Sequence, residues 1–125
     1  MRHLDPSQLE STLQSGKAIE QFLGSRGEPN TIAWLAVRPG ERGFELYHSE
    51  VPDSGDIEHL DLYEFGDDAD TQLASISASL DQILARAYSG HGARPDRWVN
   101  EFVAQDEYRD FIVAGRPTQW PTGDV

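Results

Sequence analysis

Residues 31–51 read TIAWLAVRPGERGFELYHSEV, which places two strand-forming runs on either side of a short segment containing Pro and Gly. The first run, 31–37, is apolar, and the second, 43–51, alternates apolar and polar residues with period two. Pro39 and Gly40 stand where a type II turn favours them. The stretch therefore predicts two antiparallel strands joined as a β-hairpin.

Helical periodicity flanks this hairpin on both sides. Asp5 as an N-cap and Pro6 at the first helical position, followed by apolar residues at helical spacing, predict a helix over 6–24. Beyond the hairpin, apolar residues recur every three or four positions and predict a second helix over 69–89. A third helical stretch, 95–114, is predicted as one kinked helix or as two short ones meeting near Gln105.

The sequence between the hairpin and the second helix predicts a third strand. Residues 51–56, VPDSGD, have the composition of a turn, and residues 57–65, IEHLDLYEF, alternate like a strand. The predicted class is α+β, with an N-terminal helix, a three-stranded antiparallel meander, and two or three C-terminal helices packed on one sheet face. We expect a single domain over 1–116 and an irregular C-terminal tail over 117–125.

Charge is segregated along the chain. The net charge is −12, and eleven Asp or Glu but no Lys or Arg lie between Arg42 and Arg86. Phosphate backbones and anionic membrane surfaces need clustered basic residues, so nucleic acid and membranes are disfavoured as partners. A basic protein is the natural counterpart, because complementary potentials speed association and reject wrong partners. The same charge would also serve solubility alone.

Pairing of the three predicted strands would create one apolar sheet face and one face that is both acidic and aromatic. Exposed aromatic side chains with acidic neighbours are typical of protein interfaces. The alternative is that the tyrosines of this face pack under the last helix or the tail. The predicted partner-binding residues are Glu45, Tyr47, Asp56, Glu58, His59, Asp61, Tyr63, Asp67 and Asp68.

Several kinds of chemistry are disfavoured by the residue types and their spacing. The chain has no Cys, which excludes disulfides, thiolate metal sites and a cysteine nucleophile. The acidic stretch does not fit a calcium-binding loop template, and the segment containing Ser89 and His91 has no phosphate-binding fingerprint. We therefore predict no metal, no cofactor and no catalytic residue, and the lack of an export signal or membrane span predicts a cytoplasmic protein.

The leading interpretation is an acidic protein-binding module that captures a basic protein. Bacterial immunity and antitoxin proteins, which neutralise basic toxin domains, belong to the same class of small acidic α+β proteins. Three alternatives stay open. They are a small enzyme with a site near His91, Arg94, Asp96 and Arg97, a secretion-chaperone-like adaptor, and a structural subunit that forms a homodimer through Tyr47 and Tyr63.

Overall fold

A computed structural model describes residues 2–26, 30–67 and 70–121 of the chain. The elements in chain order are α1 (Pro6–Gln14), β1 (Ile19–Ser25), β2 (Thr31–Gly40), β3 (Gly43–Pro52), a 3-10 helix (Leu62–Glu64), β4 (Thr71–Ser77), α2 (Leu80–His91), β5 (Val99–Asn100) and α3 (Ala104–Val113). Across these ranges, five strands form one antiparallel sheet in the order β4-β3-β2-β1-β5. The predicted α+β class is confirmed, but the three-stranded meander is wrong.

The predicted hairpin forms the centre of the sheet. Strands β2 and β3 pair continuously from Thr31↔Pro52 to Gly40↔Gly43, so the turn consists of Glu41 and Arg42. Pro39 and Gly40 belong to β2, and the predicted turn position is therefore wrong by two residues. Gly43 has φ +117°, and a Cβ there would lie 2.5 Å from the carbonyl oxygen of Ser77, so the site requires glycine.

The predicted N-terminal helix over 6–24 is wrong in its second half. Helix α1 begins as predicted, with Asp5 accepting a hydrogen bond from the Gln8 N–H, but it ends at Gln14. Residues 19–25 form β1 instead, between β2 and β5. Six successive β1 residues are buried because the strand is covered on both faces, so it lacks the alternation by which strands are recognised.

The predicted third strand and the start of the second predicted helix are also wrong. Residues 57–65 form a loop that ends in the 3-10 helix. Its strand-like pairing is limited to one isolated bridge between Asp56 and His59. The neighbour of β3 is β4, which the helical spacing had placed in the 69–89 helix. Helix α2 begins only at Leu80. Ser79 is its N-cap and accepts a hydrogen bond from the Gln82 N–H.

The helices pack on both faces of the sheet, so the prediction that the C-terminal helices share one face is wrong. On one face α1 and α2 cover β-strand residues such as Leu35 and Leu46. On the other, which we call the α3 face, α3 and the loop 53–67 cover Phe22, Ile32 and Val51. The predicted helical stretch 95–114 is one helix, α3, preceded by the short strand β5.

Residues 117–121 of the predicted tail contain no helix or strand. Trp120 nevertheless packs edge-on against Phe111, with ring centroids 5.7 Å apart, and against Phe22. Within the described ranges, none of the helices has the length and apolar character required to cross a bilayer.

Candidate partner-binding site

The nine residues predicted from sequence fall into three places. Glu45 and Tyr47 lie on β3 and Tyr63 lies in the 3-10 helix, and these three approach the same part of the α3 face. Asp61 adjoins Tyr63, whereas Asp56, Glu58 and His59 form the exposed tip of the loop 53–67. Asp67 is exposed at the end of that loop, and Asp68 lies outside the described residues.

A groove opens on the α3 face beside the part of the sheet that α3 covers. We call it the sheet groove, and its volume is about 230 Å³. Its lining combines four aromatic rings, two carboxylates and one guanidinium. The lining residues are Glu20, Trp34, Ala36, Arg38, Tyr47, Ser49, Tyr63, Thr71, Glu101 and Phe102.

Sheet register explains why a groove exists at this point. Glu20 pairs with Ala36, Ala36 with Tyr47, and Tyr47 with Leu73, so these four residues form one row across four strands. Directly paired residues share a sheet face. The methyl group of Ala36 therefore lies between two long side chains, and the floor of the groove stays low there.

Glu20 is the most unusual residue of the groove, because it is a carboxylate with only 4% of its surface exposed. Its Oε1 accepts hydrogen bonds from the Tyr63 hydroxyl at 2.6 Å and from the Phe102 N–H at 3.1 Å. Burial raises the pKa of Glu20, although these donors oppose the shift. Within the described part of the chain, no cation lies within ion-pair distance of it.

Phe102 stands at the mouth of the groove and was not identified from sequence. It falls in the stretch 95–114 that the sequence predicts as helical, yet it lies before α3 and its side chain is 61% exposed. Its φ of +70° lies in the left-handed region, which a bulky residue rarely adopts. The ring contacts Tyr63 edge-on, with centroids 5.6 Å apart. Backbone strain of this kind concentrates at functional sites, so Phe102 is a candidate contact residue.

Acidic residues line a second, adjoining depression on the other side of Phe102. This depression has a volume of about 310 Å³ and is lined by Asp61, Tyr63, Glu64, Phe102 and Gln105. Asp61 and Glu64 are exposed. An exposed aromatic ring therefore lies between two hollows that both carry carboxylates.

The loop 53–67 is fixed to α3 by polar contacts at its start. Tyr108 donates its hydroxyl hydrogen to Asp53 and accepts a hydrogen bond from the Gly55 N–H, and burial together with Asp53 raises the pKa of Tyr108 to about 12. Arg116 donates to Asp53 from Nε at 2.9 Å. These contacts hold the acidic loop in one position relative to the groove.

The tip of the loop carries three of the predicted partner-binding residues. Asp56 Oδ1 accepts a hydrogen bond from the Glu58 N–H and lies 2.9 Å from His59 Nδ1. The hydrogen bond with His59 is the main reason that the pKa of Asp56 is lowered. Ile57 at the same tip is 45% exposed. The tip thus presents an apolar side chain surrounded by charge.

The four residues of the alternative enzyme site do not form one cluster, although Arg94 and Asp96 are neighbours. His91 stacks on His48 of β3, with ring centroids 5.1 Å apart, and burial lowers the pKa of both imidazoles. Arg97 instead lies 3.2 Å from Glu107 and over the ring of Trp120. Arg94 and Asp96 pair with each other at 3.5 Å. Among the residues with assigned positions, no group of three His, Asp or Glu could hold a metal ion.

Removal of the Glu20 charge should alter how stability depends on pH. Because the folded-state pKa of Glu20 is raised above its ordinary value of 4.5, its favourable contribution is complete below that pH and is lost as pH rises through the folded-state pKa. Relative to Glu20→Gln, the wild type should therefore lose stability as pH rises from 4 toward neutrality. Urea denaturation of both proteins across this range measures the difference.

Glu10→Gln is the control for that comparison, because it removes an equal charge from an exposed residue of α1. At neutral pH we expect Glu20→Gln to be at least as stable as the wild type, since the amide oxygen can still accept both hydrogen bonds. If the wild type instead became more stable relative to Glu20→Gln as pH rises, the conclusion that burial raises the pKa of Glu20 would be contradicted.

No protein-family model, no curated protein and no solved structure matches the chain.

Proposed function

We propose that this chain is a protein-binding module that captures a positively charged partner through the sheet groove and the acidic loop 53–67. The observation that supports this most directly is Phe102, an exposed aromatic ring held in a strained backbone conformation between two carboxylate-lined hollows. Aromatic side chains of this kind anchor protein interfaces, and surrounding charges determine which partner approaches.

The charge of the loop supports a basic partner in particular. Asp56, Glu58, Asp61 and Glu64 are all exposed, and His59 beside Asp56 is the only potentially cationic side chain in the loop 53–67. Rim charges of this kind contribute more to association rate and selectivity than to affinity. Among proteins that work in this way, we propose an immunity-type inhibitor, which neutralises a basic toxic domain by covering it.

The test begins with the basic proteins that the purified chain retains from its native host at low salt. The partner should be retained by the wild type and lost by Phe102→Ala, and its own activity should be suppressed in the complex. A partner retained equally by both proteins would exclude the proposed surface. Self-association detected by sedimentation, without retention of a basic protein, would favour the homodimeric subunit.

The double variant Asp61→Asn/Glu64→Gln should bind the partner more slowly. We expect the association rate to fall about threefold at 0.01 M ionic strength and to change little at 0.15 M, because the screening length shrinks from ~30 Å to ~8 Å. Stopped-flow or surface-based kinetics at both salt concentrations measure the effect.

The matched control carries Glu10→Gln and Asp81→Asn on α1 and α2. It removes the same net charge from elements that lie on the opposite sheet face. If both double variants slow association equally, total charge and not the acidic rim steers the partner.

A further inference from the structure

The sheet groove has the chemistry of a receptor for one organic cation. Trp34, Tyr47, Tyr63 and Phe102 supply aromatic rings, and Glu20 and Glu101 supply carboxylates. Aromatic faces attract cations, and they do so most strongly where water is excluded. A volume of about 230 Å³ suits a single side chain better than a folded segment.

Charge in the groove is not balanced by the residues around it. Glu20 is buried and accepts hydrogen bonds from neutral donors, among them the Tyr63 hydroxyl and the Phe102 amide, while the charge of Arg38 acts on it from beyond ion-pair distance. A buried carboxylate without a cation at ion-pair distance keeps much of its desolvation cost. Glu101 adds a second negative charge to the lining, and Arg38 is its single cation. An incoming cation would therefore gain from both carboxylates.

The groove already contains an example of the contact that such a cation would make. The Cζ atom of Arg38 lies over the ring of Tyr47, 5.3 Å from its centroid. The phenol of Tyr47 in turn donates to Glu45 at 2.8 Å. A guanidinium stacked on an aromatic wall with a carboxylate nearby is thus compatible with the local geometry.

Building on the proposed function, we propose that the sheet groove receives an arginine side chain of the partner, with its guanidinium facing Glu20 and flanked by the aromatic walls. Arginine fits better than lysine for two reasons. Its guanidinium is planar and can stack on a ring, and it is more weakly hydrated than an ammonium, so it enters a partly dry groove at lower cost.

The experiment is a titration of the ¹⁵N-labelled protein, followed by NMR, with N-acetyl-L-arginine amide. N-acetyl-L-citrulline amide is the neutral control of nearly the same shape, and Nα-acetyl-L-lysine amide carries the charge on an ammonium. We expect saturable shifts of the Phe102 and Glu20 amide signals with the arginine compound, weaker ones with lysine, and none with citrulline. Equal shifts with citrulline, or equal affinity for lysine, would overturn the assignment.

Glu20→Gln tests the role of the carboxylate directly. A hydrogen bond to a charged group is stronger than one between neutral groups, so we expect the affinity for the arginine compound to fall about tenfold. Unchanged affinity in a folded Glu20→Gln protein would overturn the proposal. Should that variant fail to fold, Ala36→Leu fills the groove floor and should abolish the shifts while leaving every charge in place.

Failure of this inference and failure of the proposed function give different results. If the basic partner is still captured through Phe102 while the arginine compound causes no shift, the partner binds at the surface and the groove is not its arginine receptor. If the arginine compound binds at Glu20 but no basic protein is retained, the proposed function fails. The inference that the cation comes from a partner's arginine fails with it, and the groove is then a cation-binding site with a different ligand.

Discussion

Trp98→Ala should lower the free energy of unfolding by about 3–5 kcal/mol, because it removes the largest fully buried side chain of the domain. Trp98 is 0% exposed and lies in the core between the sheet and helices α1 and α2. Its indole N–H donates to the Tyr88 hydroxyl at 3.0 Å, and its carbonyl oxygen accepts the Leu4 N–H at 2.8 Å. Urea denaturation measures the loss, provided that the free energy of unfolding falls with urea concentration at the same slope in both proteins.

Two further variants separate cavity formation from loss of the hydrogen bond. Tyr88→Phe keeps the packing but leaves the buried indole N–H without its acceptor, which should cost roughly 1–3 kcal/mol. Trp98→Phe keeps most of the ring and should cost less than Trp98→Ala. A loss below about 1 kcal/mol for Trp98→Ala would mean that this core is assigned to the wrong residues.

The part of the fold that sequence could predict is the part decided by local contacts. The hairpin 31–51 pairs residues close in the chain, and its alternation and turn composition are visible within a few positions. The helix start at Asp5 and Pro6 was also predictable, because an N-cap acts within one turn. The α+β class follows from these two features.

Strand β1 could not be recognised because its polar residues are satisfied far along the chain. Gln21 exchanges hydrogen bonds with the backbone of Arg94, at 2.7 and 3.0 Å, and Glu20 bonds to Tyr63 and Phe102. These partners are more than forty residues away in sequence. Without them, buried Glu20 and Gln21 look like the exposed side of an amphipathic helix.

Strand β4 was misassigned for a different reason. It is an edge strand and its first four residues are all exposed, so no strand-like burial pattern restricts its sequence. Leu73, Ile76 and Leu80 happen to fall at spacings of three and four, which favours a helix locally. Only pairing with β3, which is a tertiary contact, decides in favour of a strand.

The candidate site was predictable in its chemistry but not in its construction. Tyr47 and Tyr63 were expected to share a strand-built face, and both line the groove, although Tyr63 reaches it from a 3-10 helix. Glu20 and Phe102 were missed because both fall in stretches predicted as helix, 6–24 and 95–114, whereas Glu20 belongs to β1 and Phe102 to the turn before α3. No local signal marks Phe102, since its exposure follows from the turn that joins β5 to α3.

Loss of the Phe102 ring should weaken partner binding by about 2 kcal/mol or more, which is roughly 30-fold in the dissociation constant. The effect should appear mainly as faster dissociation, since the ring carries no steering charge. Calorimetry or kinetics on the complex measures it. Val113→Ala is the matched control, because Val113 is equally exposed and apolar but ends α3 away from the groove lining.

Alanine and glycine at this position should differ in stability but not in affinity. Both remove the ring and its contact with Tyr63, yet only glycine adopts a φ of +70° without strain. We therefore expect Phe102→Gly to be more stable than Phe102→Ala by about 1 kcal/mol, while both bind the partner equally weakly. A wild-type affinity in the folded glycine variant would show that the exposed ring makes no contact, and that the strained turn serves only to deliver the Phe102 N–H to Glu20.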